Sequence, residues 1–252
     1  MSEVRDEWDF YPCRVDDNPA SIYLNLGYAE DAPIVSAPTL LWIGLEMLVP
    51  GDHGMGMEPD VDQLYEIEER IVAEMEGKGA LYLGRLRNKG DWQLTFQGPK
   101  ALTLLLDEIA VRGLTGQARG YRVGAEPDPD WSYYREFLFP DSERYQWILD
   151  RRVVDELRSH GDQLIAVRPV DHHLEFAPDA PVQSFVQAAA VLDFQVGREP
   201  APMEDGAIAV HLVRPDPLAN VQIHDAVMEL TKLAREHGGS YAGWGCSVVS
   251  DG

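Results

Sequence analysis

The chain has 252 residues, 45% of them hydrophobic, enough for one large or two ordinary globular domains with buried cores. Its 43 acidic against 21 basic side chains leave a formal net charge of −22, spread as 24 against 11 in residues 1–130 and 19 against 10 in residues 131–252. A field of that sign repels phosphate backbones and anionic lipid surfaces, so it argues against direct nucleic-acid or membrane binding and favours basic protein partners. The two cysteines, Cys13 and Cys246, form neither a disulfide framework nor a CxxC pair. The acidic start around Trp8 has no signal-peptide character, and no apolar run approaches the length of a membrane span. A reducing, cytoplasmic setting is the simplest expectation.

In chain order, residues 8–15 and 21–27 predict a strand pair, with the turn chemistry of Asp16, Asp17, Asn18 and Pro19 between them. The nearly continuous apolar run 40–49 predicts a central strand, and the glycine-rich stretch 50–56 a mobile loop. Val61, Leu64, Ile67, Ile71 and Met75 then recur every three or four residues, which is one helix face, opposite an acidic one. Residues 80–87 and 92–97 predict a hairpin about Asn88-Lys89-Gly90-Asp91. Pro99 opens a second helix ending near Gly113, and residues 117–123 close the unit as a strand. The stretch 125–130, with Pro127 and Pro129, is extended and polar and predicts a linker. An aromatic-rich run, 131–139, and a helix from about Ser142 to a stop at Gly161 follow.

The second half repeats the order: strand 166–176, helix from Pro181, strands 194–198 and 207–213, helix from Pro217, and a closing strand, 240–249. In that last strand, simple alternation places Tyr241, Gly243 and Gly245 on one face, with Ala242 and Trp244 on the other. A βαββαβ succession with right-handed crossovers predicts α+β architecture: two tandem ferredoxin-like sandwiches, each an antiparallel sheet with helices on one face. The expected domains are 1–138 and 139–252.

Few residues carry chemistry. His172 alternates with Val170, Leu174 and Phe176 on the apolar side of its strand, as a hydrogen-bonded core histidine would. Asp171, His173 and Glu175 face outward together. They lack further ligands at metal-site spacing, so no metal or cofactor is expected. Cys246 with His237 shows proximity in sequence but no orienting third group, and the thiol reads as structural. The loop 51–56 lacks the Lys and Ser/Thr of a phosphate-binding loop. No catalytic residue is assigned. The acidic helix face could meet Arg side chains, but exposed pairs are weak, so binding also needs aromatic anchors. Trp244, Trp131, Tyr133 and Tyr134 are the candidates, with an interface between the two domains as the competing role.

The run Asp171-His172-His173-Leu174-Glu175-Phe176, the helix around Asp225, Leu230 and Leu233, and Tyr241-Ala242-Gly243-Trp244-Gly245 resemble the RraB family, regulator of ribonuclease E activity B. The run Trp8-Asp9-Phe10-Tyr11-Pro12-Cys13-Arg14-Val15-Asp16-Asp17 and Trp131-Ser132-Tyr133-Tyr134-Arg135 look like DUF695, a family of unknown function. The RraB resemblance implies a ferredoxin-like fold and a protein inhibitor of ribonuclease E, which suits the acidic field. The expectation is therefore a non-enzymatic regulator whose partner is a basic protein surface, with Asp171, His173, Glu175, Tyr241 and Trp244 as partner-binding residues. Two other readings stand beside it. One is a small-molecule hydrolase with a site between the domains, using His172 or His173, a carboxylate and Cys246; the other is a structural module forming a homodimer through open sheets.

Overall fold

The computed structural model describes residues 6–249. The chain divides into two compact units, Met1–Tyr145 and Gln146–Gly252. Both are mixed α+β, each built on one antiparallel sheet.

The first unit contains β1 (Trp8–Val15), β2 (Asn18–Asn25), β3 (Thr39–Glu46), α1 (Asp60–Gly77), β4 (Leu81–Asn88), β5 (Asp91–Gly98), α2 (Leu106–Leu114) and β6 (Tyr121–Pro127). Its sheet runs β1-β2-β4-β5-β3-β6. Two hairpins close with two-residue loops in which both residues have positive φ, Asp16 and Asp17 (48° and 62°) and Lys89 and Gly90 (51° and 80°). That is the mirror-image turn whose twist matches the strands.

The periodicity of α1 is real: Val61, Leu64, Ile67, Ile71 and Met75 are all buried, against Trp92, Leu94 and Phe96 of β5 and the apolar face of α2. Each such side chain contributes on the order of 1.5–3 kcal/mol. The two helices approach closely at Gly113, where a Cβ would lie 2.4 Å from Ile71 Cγ1. Only a residue without a side chain fits that crossing.

The other face of β5 is polar in sequence yet buried. Thr95 and Gln97 alternate with the apolar residues of β5 and are fully covered. The cover comes from the aromatic-rich run, which forms a π-helical turn at Tyr133–Leu138. Trp131 donates its indole N–H to Ala37 O at 2.9 Å, and Tyr134 donates to Asn25 O at 2.8 Å. Gln93 reaches the Tyr133 hydroxyl at 3.0 Å.

Three sequence readings change here. The stretch 125–130 is not a free connection: β6 continues to Pro127, paired with β3. Buried Asp128 accepts from Ser132 N (2.7 Å), Tyr133 N (3.2 Å) and Gln97 Nε2 (2.8 Å). The carboxylate thus fastens the turn to the sheet. Pro99 opens a short 3-10 turn, Lys100–Leu104, and the regular helix begins only at Leu106. The glycine-rich loop is pinned to the β4–β5 turn, with Gly90 N donating to Gly54 O at 2.9 Å. A Cβ on Gly54 would meet Lys89 Cα at 2.8 Å, so the glycines there permit close backbone approach.

Helix α3 (Ser142–Ser159) spans the division between the units. The second unit continues with β7 (Arg168–Phe176), α4 (Val182–Val191), β8 (Gln195–Pro202), β9 (Ile208–Asp216), α5 (Asn220–Glu236) and β10 (Gly239–Gly245). Its sheet runs β10-β7-β9-β8. The last four strands of the first unit run β6-β3-β5-β4, the same order with respect to the chain; β1 and β2 extend that sheet beyond β4. In the second unit the core splits in two. Leu174, Phe176, Phe185 and Leu230 form one cluster, and Val154, Leu157, Val170, Val227 and Trp244 form the other. No helix among the described residues is long and apolar enough to cross a membrane.

Candidate interaction face and its interior brace

Strand β7 alternates strictly. Arg168, Val170, His172, Leu174 and Phe176 are buried towards the helices, while Asp171, His173 and Glu175 point the other way. On this outward face His173 lies opposite His211 of β9. Their rings stack at 5.0 Å with 9° between the planes. His211 Nε2 is 2.8 Å from Asp171 Oδ1, so the carboxylate orients the imidazole. Partial burial, then the neighbouring His211, push the His173 pKa down, which favours a neutral ring. Glu175, Arg198, Met203 and Ala242 continue around a shallow hollow of about 330 Å³ beside the histidine pair.

The inward face holds a polar chain inside the core. His172 is fully buried, with Nδ1 2.8 Å from the Tyr241 hydroxyl and Nε2 3.8 Å from Asp216 Oδ2. Burial pushes the Tyr241 pKa far up, and the charges of Asp150 and Asp216 add to the effect. The phenol therefore keeps its proton, and its hydroxyl and His172 Nδ1 share one hydrogen bond. The Nε2–Asp216 separation is beyond hydrogen-bond reach. Burial opposes ionisation of Asp216, but nearby His172 and the Arg214 guanidinium, 3.0 Å away, outweigh it and lower its pKa.

Trp244 is buried and donates Nε1–H to Asp150 Oδ1 at 3.0 Å. Asp150 also accepts from Gln146 Nε2 (2.8 Å) and meets His224 Nδ1 at 2.7 Å. Tyr241 and Trp244 both reach this interior because β10 is bulged: Tyr241 pairs with Leu174, Gly243 with His173 and Trp244 with His172. The extra residue, Ala242, overturns the alternation expected from sequence, and Gly243 takes a φ of 148°.

The residues expected to contact a partner therefore separate. Asp171, His173 and Glu175 gather on the outward face. Tyr241 and Trp244 brace the same sheet from within. Trp131 and Tyr134 are buried in the first unit. His211, Asp150, Asp216 and His224 complete the constellation and were not singled out from sequence. His211 had one usable signal, its alternation with Ala209 and Val213; the others depend on long-range packing.

Other expected groups lie apart. His172 and His173 point to opposite faces of one strand. Cys246 packs against the Val154, Leu157 and Trp244 cluster, and burial raises its thiol pKa. His237 Nδ1 is 2.9 Å from Leu233 O at the end of α5, and its ring meets Phe185 edge-on. Among the described residues, no group of three or more His, Cys, Asp or Glu is placed to hold a metal ion.

Comparison with known families assigns both halves. Residues 6–139 match the family of unknown function DUF695, and residues 147–246 match RraB, described as regulator of ribonuclease activity B. No curated protein and no solved structure matches the chain. The chain belongs to the DUF695 family through its first unit and carries an RraB domain in its second.

Proposed function

We propose that this chain is a non-enzymatic regulator that binds a basic surface of an RNA-processing nuclease, with ribonuclease E the first candidate. The RraB match over residues 147–246 carries the reading. The net charge of −22 supports it, because an acidic protein is drawn to Arg- and Lys-rich segments and repelled by the RNA they bind. In this reading residues 139–252 are a ferredoxin-like regulatory domain in a cytoplasmic protein, and residues 1–138 are a separate DUF695 domain. The βαββαβ succession and the order β10-β7-β9-β8 support the ferredoxin-like assignment.

The partner surface is the outward face of β7. Asp171 and Glu175 offer carboxylates to the planar fork of Arg, and the stacked His173–His211 pair offers a flat ring surface on which guanidinium can rest. Tyr241 and Trp244 act indirectly, by holding β10 and β7 in register. A homodimer would compete for the same open face.

Capture of purified ribonuclease E by the full chain tests the reading. Expected is binding at low salt whose association rate falls steeply as salt is added. Absence of capture at low salt, or a rate insensitive to salt, contradicts it.

A further inference from the structure

The first unit carries a hollow of a different chemical character, independent of the RraB reading. It holds about 520 Å³ and opens to solvent beside α1. Its walls include the rings of Trp8, Tyr23, Tyr28 and Tyr82. Trp8 stacks on Tyr23 at 5.0 Å, with 20° between the planes, and meets Tyr82 at 5.2 Å. Trp8 and Tyr23 are only half-buried, so part of this ring surface faces solvent. Asp6, Glu69 and Glu76 stand at the rim, and no Lys or Arg among the described residues lines it.

The floor shows that this wall already accommodates a cation. Glu68 accepts from Tyr82 Oη (2.9 Å), Arg85 Nη1 (2.8 Å) and Trp92 Nε1 (2.7 Å). The Arg85 guanidinium lies 4.9 Å from the ring centre of Tyr23, 4.9 Å from that of Tyr65 and 4.5 Å from that of Trp92. Arg85 balances Glu68, so Asp6, Glu69 and Glu76 remain as excess negative charge around exposed aromatic surface. Burial, reinforced by the charge of Asp6, raises the Glu76 pKa, as expected where carboxylates gather without a counter-charge.

We propose that this hollow binds an organic cation, an alkylammonium or guanidinium head whose charge meets the carboxylates and whose apolar groups lie on the rings. Both parts of the lining matter. Aromatic faces attract weakly hydrated cations and give little to strongly hydrated inorganic ones. The carboxylates exclude anions such as phosphate. The volume suits a headgroup with its stem. The same chemistry is offered by a free small cation or by a Lys or Arg side chain of a basic polypeptide.

Calorimetric titration of the full chain at constant ionic strength tests this, with choline and methylguanidinium as probes and 3,3-dimethylbutan-1-ol as the neutral isostere of choline. Expected is saturable binding of at least one cation, about tenfold or more tighter than the neutral isostere. Glu76→Gln and Trp8→Ala should each weaken it several-fold while the near-ultraviolet circular dichroism of the fold persists. A capped Gly-Arg-Gly peptide binding more tightly than methylguanidinium assigns the site to a polypeptide side chain; equal or weaker binding assigns it to a free cation. No saturable cation binding, equal affinity for the neutral isostere, or unchanged affinity in Glu76→Gln overturns the proposal.

Discussion

Trp244 hydrogen-bonds Asp150 at 3.0 Å across 94 residues of chain, joining the last strand of the RraB domain to its first helix. Asp150 is almost fully buried and receives two further partners, Gln146 and His224. Asp150→Ala leaves an indole N–H and an imidazole without their acceptor and should destabilise the protein by about 2–4 kcal/mol. Trp244→Phe keeps most of the apolar volume but strands one lone pair of a well-served carboxylate, and should cost less, about 1–2 kcal/mol. Urea denaturation of the full chain checks the ranking; equal costs would mean that packing rather than the hydrogen bond matters.

The buried pair Glu68–Arg85 makes a second stability prediction. Glu68→Leu leaves Arg85, with its guanidinium under three rings, uncompensated and should cost about 3–5 kcal/mol. Glu68→Leu combined with Arg85→Met removes both charges and should recover part of that loss, with the Tyr82 hydroxyl and the Trp92 indole N–H still lacking their acceptor. Additive losses in the double variant would show that the two groups act separately.

Asp162 supplies a pH dependence. Arg168 holds both its oxygens, at 2.6 and 2.7 Å, and the backbone N–H groups of Leu164 and Val249 donate to it at 2.8 Å each. The Arg168 hydrogen bonds dominate, burial opposes them, and the net effect drops the Asp162 pKa well below the ordinary carboxylate range. A folded-state pKa below the unfolded one, about 4, gives stability that is present above that value. It is lost as pH falls below about 4 towards the folded pKa. Asp162→Asn should therefore be less stable at pH 7 and show a shallower acid limb. Parallel denaturation midpoints across pH 5 to pH 2 for the two proteins would rule out this linkage.

Two glycines separate backbone strain from steric clash. Gly84 and Gly243 follow bulges in β4 and β10, with φ of 150° and 148°. A Cβ on Gly84 would lie 2.1 Å from Tyr23 O, whereas one on Gly243 meets nothing within 4 Å. Gly243→Ala should cost only the conformational penalty, about 1–3 kcal/mol. Gly84→Ala adds the clash with β2 and should cost clearly more. Soluble yield and thermal midpoints report the order; a harmless Gly84→Ala would refute the close approach of β2.

Much of this architecture was legible in the sequence. The spacing of Val61 to Met75 announced α1, and Asn88-Lys89-Gly90-Asp91 announced a tight hairpin, because helix faces and two-residue turns are set by neighbours in the chain. The outward placement of Asp171, His173 and Glu175 followed from the two-residue period of a strand. What escaped was non-local. The bulge at Ala242 interrupts that period, so Tyr241 and Trp244 share a face that alternation assigned to only one of them. The bulges of β4 and β10 fall on similar short runs, Tyr-Leu-Gly at 82–84 and Tyr-Ala-Gly at 241–243. Asp128 lay in a stretch that read as a polar linker, because nothing local reveals that its carboxylate caps a turn against the sheet. Asp150 and Asp216 were invisible as site residues for the same reason: their partners come from distant strands and helices.

The central claim is that the outward face of β7 binds a basic nuclease surface, and the association rate of purified ribonuclease E with the full chain and with a Asp171→Lys/Glu175→Lys variant tests it most directly. Both positions are at least partly exposed, so the variant should fold. The account predicts a rate for the variant lower by about tenfold or more at low salt, with the difference shrinking as salt is added. Equal rates for the two proteins, or no association of the unmodified chain, would contradict it.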